Sequence, residues 1–143
     1  MRALLIGGMA AAMLFVTGAA SAATLHFTTV LKGAEETPPN TTKGTGKVTA
    51  TLDTGTKAFT YKVTYSGLTG PATMAHFHGP ALAGAAAPPV VPVPASSLAN
   101  PMKGAATLDD AQVADLKAGK WYFNIHTAAN PGGEIRGQLP AVK

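Results

Sequence analysis

Apolar and polar residues alternate at period two along most of the chain beyond residue 23, the pattern of half-buried β-strands. From Thr24 to Lys32, Leu25, Phe27 and Leu31 fall on one face. Lys47 to Asp53 turns Val48, Ala50 and Leu52 the same way, and Lys57 to Tyr65 does so with Phe59, Tyr61, Val63 and Tyr65. Between these two segments lies Asp53-Thr54-Gly55-Thr56, where Asp initiates a turn and Gly supplies a positive φ. Together they predict a β-hairpin. Ala72 to His78 predicts another strand, with Ala75 and Phe77 on one face and Met74, His76 and His78 on the other. The strongest alternation runs from Lys120 to Thr127, where Trp121, Phe123 and Ile125 oppose Tyr122, Asn124 and His126. Asn130-Pro131-Gly132-Gly133 then turns the chain into a closing strand, Glu134 to Leu139.

The remaining segments are punctuation. Gly33 to Gly46 carries Pro38-Pro39, which cannot sit in a central strand, and predicts a loop. Gly79 to Pro101 is rich in Ala and Pro; Pro88, Pro89, Pro92 and Pro94 limit it to a loop with at most an edge strand at Val90 to Val93. A short strand is predicted from Met102 to Ala106. One helix is predicted over about 107–118: Thr107 caps it, Asp109 and Asp110 suit its positive end, Lys117 its last turn, and Gly119 stops it. Leu108, Ala111 and Leu116 would face the core. Many short strands separated by turns predict a mainly β, antiparallel sandwich or barrel with one short helix.

The N-terminus changes the picture of where this domain works. Met1-Arg2, an apolar run from Ala3 to Val16 and small residues up to Ala23 have the form of a secretory signal peptide. Cleavage after Ala22 makes residues 1–22 the signal and 23–143 a single domain; cleavage after Ala23 is the alternative. Gly7, Gly8 and Gly18 interrupt the run, which is shorter than the roughly 20 apolar residues a span needs. The expected location is secreted or periplasmic, with no membrane insertion of the mature chain. The chain has no cysteine, which excludes thiolate chemistry and disulfides. Its formal net charge is +4, but the lysines are scattered singly, without interleaved aromatics, and nucleic-acid binding is not expected.

Candidate chemistry rests on histidine. His76-Phe77-His78 on a strand sends both imidazoles to one side and Phe77 to the other. Imidazole is the commonest metal ligand and suits copper and zinc among others. His126 lies on the polar face of a second strand; if the two strands are neighbours, three imidazoles converge on an outer face. Met74 shares the face of His76 and His78 as an auxiliary thioether, although packing at a sheet margin explains it as well. His26 would face solvent, or chelate copper if cleavage after Ala23 left it third from a free amine. Glu134 is a candidate acceptor for an imidazole N–H. Arg136 would pair with Glu36 or guide an anion. No serine-nucleophile elbow, phosphate loop or H-E-x-x-H occurs, and no organic cofactor is expected.

Several blocks resemble the CHRD (chordin-type) domain: Leu31-Lys32-Gly33-Ala34-Glu35-Glu36-Thr37-Pro38-Pro39, Ala75-His76-Phe77-His78-Gly79-Pro80, Trp121-Tyr122-Phe123-Asn124-Ile125-His126-Thr127 and Pro131-Gly132-Gly133-Glu134-Ile135-Arg136-Gly137-Gln138-Leu139. The resemblance implies an immunoglobulin-like, Greek-key β-sandwich similar to copper–zinc superoxide dismutase. It implies that His76 and His78 look like that enzyme's copper-binding H-x-H pair and His126 like its later copper histidine. This chain has too few histidines for a bridging ligand and a zinc site as well, so the resemblance does not extend to a dual-metal dismutase. Three functions are weighed. The first is an extracytoplasmic domain binding a transition metal, copper ahead of zinc, through His76, His78 and His126 in a surface cluster. The second is a metal-independent module binding an extracellular protein partner. The third is a copper-only redox enzyme with Arg136 attracting an anion. The first requires the two histidine strands to be adjacent and the ring nitrogens to approach to about 3–4 Å.

Overall fold

The computed structural model describes residue 18 and residues 21–142. The expected signal peptide lies almost wholly outside them. Among the described residues, no helix is long and apolar enough to cross a membrane.

The alternating segments form eight strands: β1 (Thr24–Lys32), β2 (Thr45–Asp53), β3 (Ala58–Ser66), β4 (Ala72–His78), β5 (Pro89–Pro92), β6 (Met102–Thr107), β7 (Tyr122–Thr127) and β8 (Ile135–Gln138). All pairings are antiparallel, in the order β5-β4-β7-β8-β1-β2-β3-β6. β1 and β8 are joined by a single residue pair, Lys32 with Arg136. That thin seam lets the sheet fold over, so that the half holding β4 and β7 packs on the half holding β2 and β3. Gly137 lies at the seam because a side chain there would collide with the Val30 carbonyl. The inner faces meet through aromatics: Phe77 lies 5.1 Å from Phe59 and 5.0 Å from Tyr61 between ring centroids, and Trp121 lies 5.7 Å from Phe59. Edge-to-face rings at such distances add to the burial energy of a core otherwise modest in large side chains. The mainly β, antiparallel sandwich with one helix is as the alternation predicts.

Three local expectations are corrected. The helix, α1, spans Asp110–Lys117 and is capped by Asp109, not Thr107. Thr107 is held in β6 opposite Ala58. Asp109 instead forms a reciprocal capping box: its Oδ1 accepts from the Gln112 N–H (2.8 Å), and Gln112 Oε1 accepts from the Asp109 N–H (3.0 Å). Leu108 and Leu116 are buried as expected, but Ala111 is exposed and Val113 packs against the core in its place. In the β2–β3 turn, Asp53 does accept from the Gly55 and Thr56 N–H groups, at 2.8 Å each. The positive φ, however, falls at Lys57 (60°) rather than at Gly55.

Replacing Asp109 by alanine removes the cap and is expected to cost about 1 kcal/mol of stability. It should be read as a lower urea midpoint at unchanged slope.

Candidate metal centre

β4 and β7 are hydrogen-bonded neighbours. Their register sets Met74 opposite His126, His76 opposite Asn124, Phe77 opposite Phe123 and His78 opposite Tyr122. Period two then works on both strands at once. Phe77 and Phe123 enter the core with ring centroids 4.7 Å apart, and the three histidines leave the other face together. One ring nitrogen from each of His76, His78 and His126 lies within 4.8 Å of the others. This is somewhat wider than the 3–4 Å expected, and an ion with bonds near 2 Å would draw the three imidazoles closer by about an ångström.

The cluster is more enclosed than the outer-face position expected from alternation alone: His76 is half-buried and the other two histidines are buried. His78 and His126 are each only 7% exposed, because two loops close over the outer face of the sheet. The Ala/Pro-rich loop after Gly79 brings the Ala87 carbonyl to His78 Nδ1 (2.8 Å), and the turn after Thr127 brings the Pro131 carbonyl to His126 Nδ1 (2.8 Å). A carbonyl only accepts, so both Nδ1 atoms carry hydrogen. The lone pair of His126 is thereby placed on Nε2, which is buried and has no partner. A backbone carbonyl that fixes the tautomer in this way is the usual support of a metal-binding imidazole. His76 Nδ1 is likewise buried and without a partner. Burial pushes the His76 pKa below its ordinary value, and the nearby His126 and His78 push it further. Burial also lowers that of His78; its bonds to Ala87 and Asn124 oppose the shift, and His126 and Arg136 add to it.

His78 is the most constrained of the three. Its ring stacks on Tyr122 at 4.7 Å and 3°, and the Arg136 guanidinium lies over the Tyr122 ring at 3.5 Å. Tyr122 in turn holds the loop: its hydroxyl accepts from the Ala87 N–H (3.1 Å) and donates to the Ala87 carbonyl (3.2 Å). Arg136 is 1% exposed and donates to the Ala85 carbonyl (2.8 Å) and to Thr37 Oγ1 (3.3 Å). The expected ion pair with Glu36 is not among the ion pairs of the described residues. Buried against Tyr122 and loop carbonyls, Arg136 is also not placed to guide an anion from solvent.

The auxiliary residues separate in the same way. Met74 lies across from His126 but is 47% exposed at the margin. His26 lies on the other half of the sandwich, facing a cleft of about 380 Å³ lined by Thr28, Thr49, Thr51, Thr60 and Lys62. The backbone around it is committed to the ladder with β2. Glu134 accepts from no imidazole. Its oxygens take hydrogen bonds from Thr42 Oγ1 (2.6 Å), the Thr69 N–H (2.9 Å), Thr69 Oγ1 (2.8 Å) and Thr127 Oγ1 (2.6 Å). The expected role as an imidazole acceptor fails because four threonine-borne donors reach this carboxylate first.

Two residues of the site were not singled out in the sequence, Asn124 and Tyr122. Period two had already placed both on the face of His126, and that signal could have found them.

No curated protein and no solved structure matches the chain, and the expected likeness to copper–zinc superoxide dismutase finds no support among solved structures. The family model for the CHRD domain matches residues 27–139, a span that includes all three histidines and both covering loops, and the chain belongs to the CHRD-domain family.

Proposed function

We propose that this CHRD domain acts outside the cytoplasm as a transition-metal-binding protein, with copper held by His76, His78 and His126. The observation that carries the reading is the convergence of three imidazoles on adjacent strands, with buried nitrogens of His76 and His126 left without partners. Orphaned polar atoms in a protein interior are costly, and a bound ion is one way of satisfying them. The ligand set is all nitrogen, which suits copper, and divalent copper stands above zinc in intrinsic affinity for such sites. The family and the signal-like N-terminus support an extracytoplasmic setting. The geometry favours binding over turnover of an anionic oxidant, since the cation expected to attract the anion is enclosed.

The test is a titration of metal-free mature protein with Cu(II), followed by electron paramagnetic resonance. One equivalent should bind, with nitrogen hyperfine structure from the imidazoles. A spectrum no different from that of copper in buffer would overturn the reading.

A further inference from the structure

Lysines that are scattered singly along the sequence are gathered by strand pairing on the half of the sandwich away from the histidines. β1, β2, β3 and β6 each carry one exposed lysine at an outer position: Lys32, Lys47, Lys62 and Lys103. Lys62 faces Lys103 directly across the β3–β6 ladder. Lys47 faces Thr64, two residues from Lys62, and on its other side Val30, two residues from Lys32. Each lysine is therefore a direct or diagonal neighbour of the next, about 5–8 Å away. The line they form runs obliquely across four strands for about 20 Å.

This arrangement is unfavourable in the free protein. Like charges directly opposite one another destabilise a sheet. The one acidic residue at an outer position of these strands, Asp53, lies at the end of β2 and turns its carboxylate to the Gly55 and Thr56 N–H groups. The one ion pair among the described residues is Lys57 with Asp110. A lysine on an edge strand blocks pairing with another sheet, which accounts for Lys103 in β6. It does not account for Lys47 and Lys62, which lie in interior strands.

Hydroxyls fill the positions between the charges. Thr49 and Thr64 share a cleft of about 210 Å³ with Lys47 and Lys62, and Thr45, Thr64 and Ser66 flank Lys47 in a neighbouring one of about 290 Å³. No Phe, Tyr or Trp occupies an outer position of these strands, so a nucleic-acid base has nothing to stack on. Val30 is the one large apolar side chain exposed there, too little to enter a bilayer. Separate cations set among hydroxyls match a chain of sugars that bears one carboxylate per unit among neutral hydroxyls.

We propose that this face binds a linear polyuronate, with its carboxylates along Lys32, Lys47, Lys62 and Lys103 and its sugar hydroxyls against the threonines. Bound carboxylates relieve the repulsion between Lys62 and Lys103. The inference does not rest on the metal-binding reading, since the histidine centre lies on the other half of the sandwich.

The probe is polygalacturonate, titrated calorimetrically into the mature protein in about 0.1 M salt, where exposed charges more than about 10 Å away are screened. Wild type is compared with Lys47→Gln/Lys62→Gln/Lys103→Gln and with Lys43→Gln/Lys117→Gln/Lys120→Gln, which removes the same charge from exposed lysines elsewhere. Loss of three exposed ion pairs should weaken binding by about tenfold in the first variant, against less than about twofold in the second. Equal weakening of the two would reduce the effect to net charge and overturn the proposal, as would no binding by the wild type. Binding to vesicles of phosphatidylglycerol and phosphatidylcholine but not to polygalacturonate would overturn it in favour of a membrane surface. If the first variant does not fold, backbone amide spectra of the wild type decide. Shifts on adding polygalacturonate should centre on Lys47, Lys62 and Lys103; shifts confined to other strands sink the proposal.

Discussion

Replacing His76 and His78 together by alanine is expected to weaken copper binding by more than about 100-fold, since the loss even of a residue that merely orients a metal ligand costs 10–100-fold. Two of the three imidazoles are removed, and His126 alone cannot chelate. The fold should survive. Both side chains leave the sheet on the face opposite Phe77, and it is Phe77 that packs between Phe59, Tyr61 and Phe123. The ladder between β4 and β7 is made by backbone groups, which the substitutions leave in place. What the double variant loses structurally is the bonds from His78 to Ala87 and to Asn124 and the stack on Tyr122; Tyr122 still holds Ala87 by two bonds of its own. Competition titration reads the affinity, and circular dichroism checks that the strands remain. Undiminished affinity in a folded double variant would mean that the ion sits elsewhere.

Glu134→Ala should be strongly destabilising for a single polar substitution, at about 3 kcal/mol. That is a large part of the 5–15 kcal/mol by which a domain is ordinarily stable. The carboxylate is fully buried. It ties two separate loops to β7 and β8, through Thr42 in the loop after β1 and Thr69 in the loop after β3, and it also holds Thr127 at the end of β7. Truncation leaves those donors without an acceptor. Burial by itself would raise the Glu134 pKa, but the hydrogen bonds from Thr127, Thr42 and Thr69 outweigh it and bring the value down to about 2, against an ordinary 4.5. A carboxyl depressed on folding stabilises the folded state above its unfolded pKa, and that contribution disappears as protonation proceeds. The contribution should therefore be complete above pH 4.5 and fade as the pH falls toward 2. Urea denaturation as a function of pH should show that acid-sensitive limb in the wild type and a flatter one in Glu134→Gln. Parallel limbs would place the acid sensitivity in another carboxylate.

Much of the architecture was legible in the chain. Ala72–His78 is a strand with the faces its alternation implies, and Trp121, Phe123 and Ile125 are buried where their alternation put them. The misread positions share a cause: each depended on a partner distant in sequence or on competition between neighbours. Thr107 is a good helix cap in isolation, but it is already paired with Ala58 across the sheet. Glu134 lies close in sequence to His126, but the threonines that claim it come mostly from two remote loops. Arg136 found the face of Tyr122 and the carbonyl of Ala85 in place of an ion pair with Glu36.

The metal centre divides along the same line. Which side of its strand each histidine takes is decided by the sequence alone, because the period of two belongs to the extended backbone itself. That β4 lies beside β7, bringing His78 within a hydrogen bond of a residue 46 positions away, was decided only when the strands paired. Tertiary structure also decided that His78 and His126 are enclosed, since the two loops that cover them have no periodic signal to show where they fold. Those loops supply the carbonyls of Ala87 and Pro131 that orient His78 and His126. They are backbone groups that any residue could have offered, which is why no side chain in the sequence marks them.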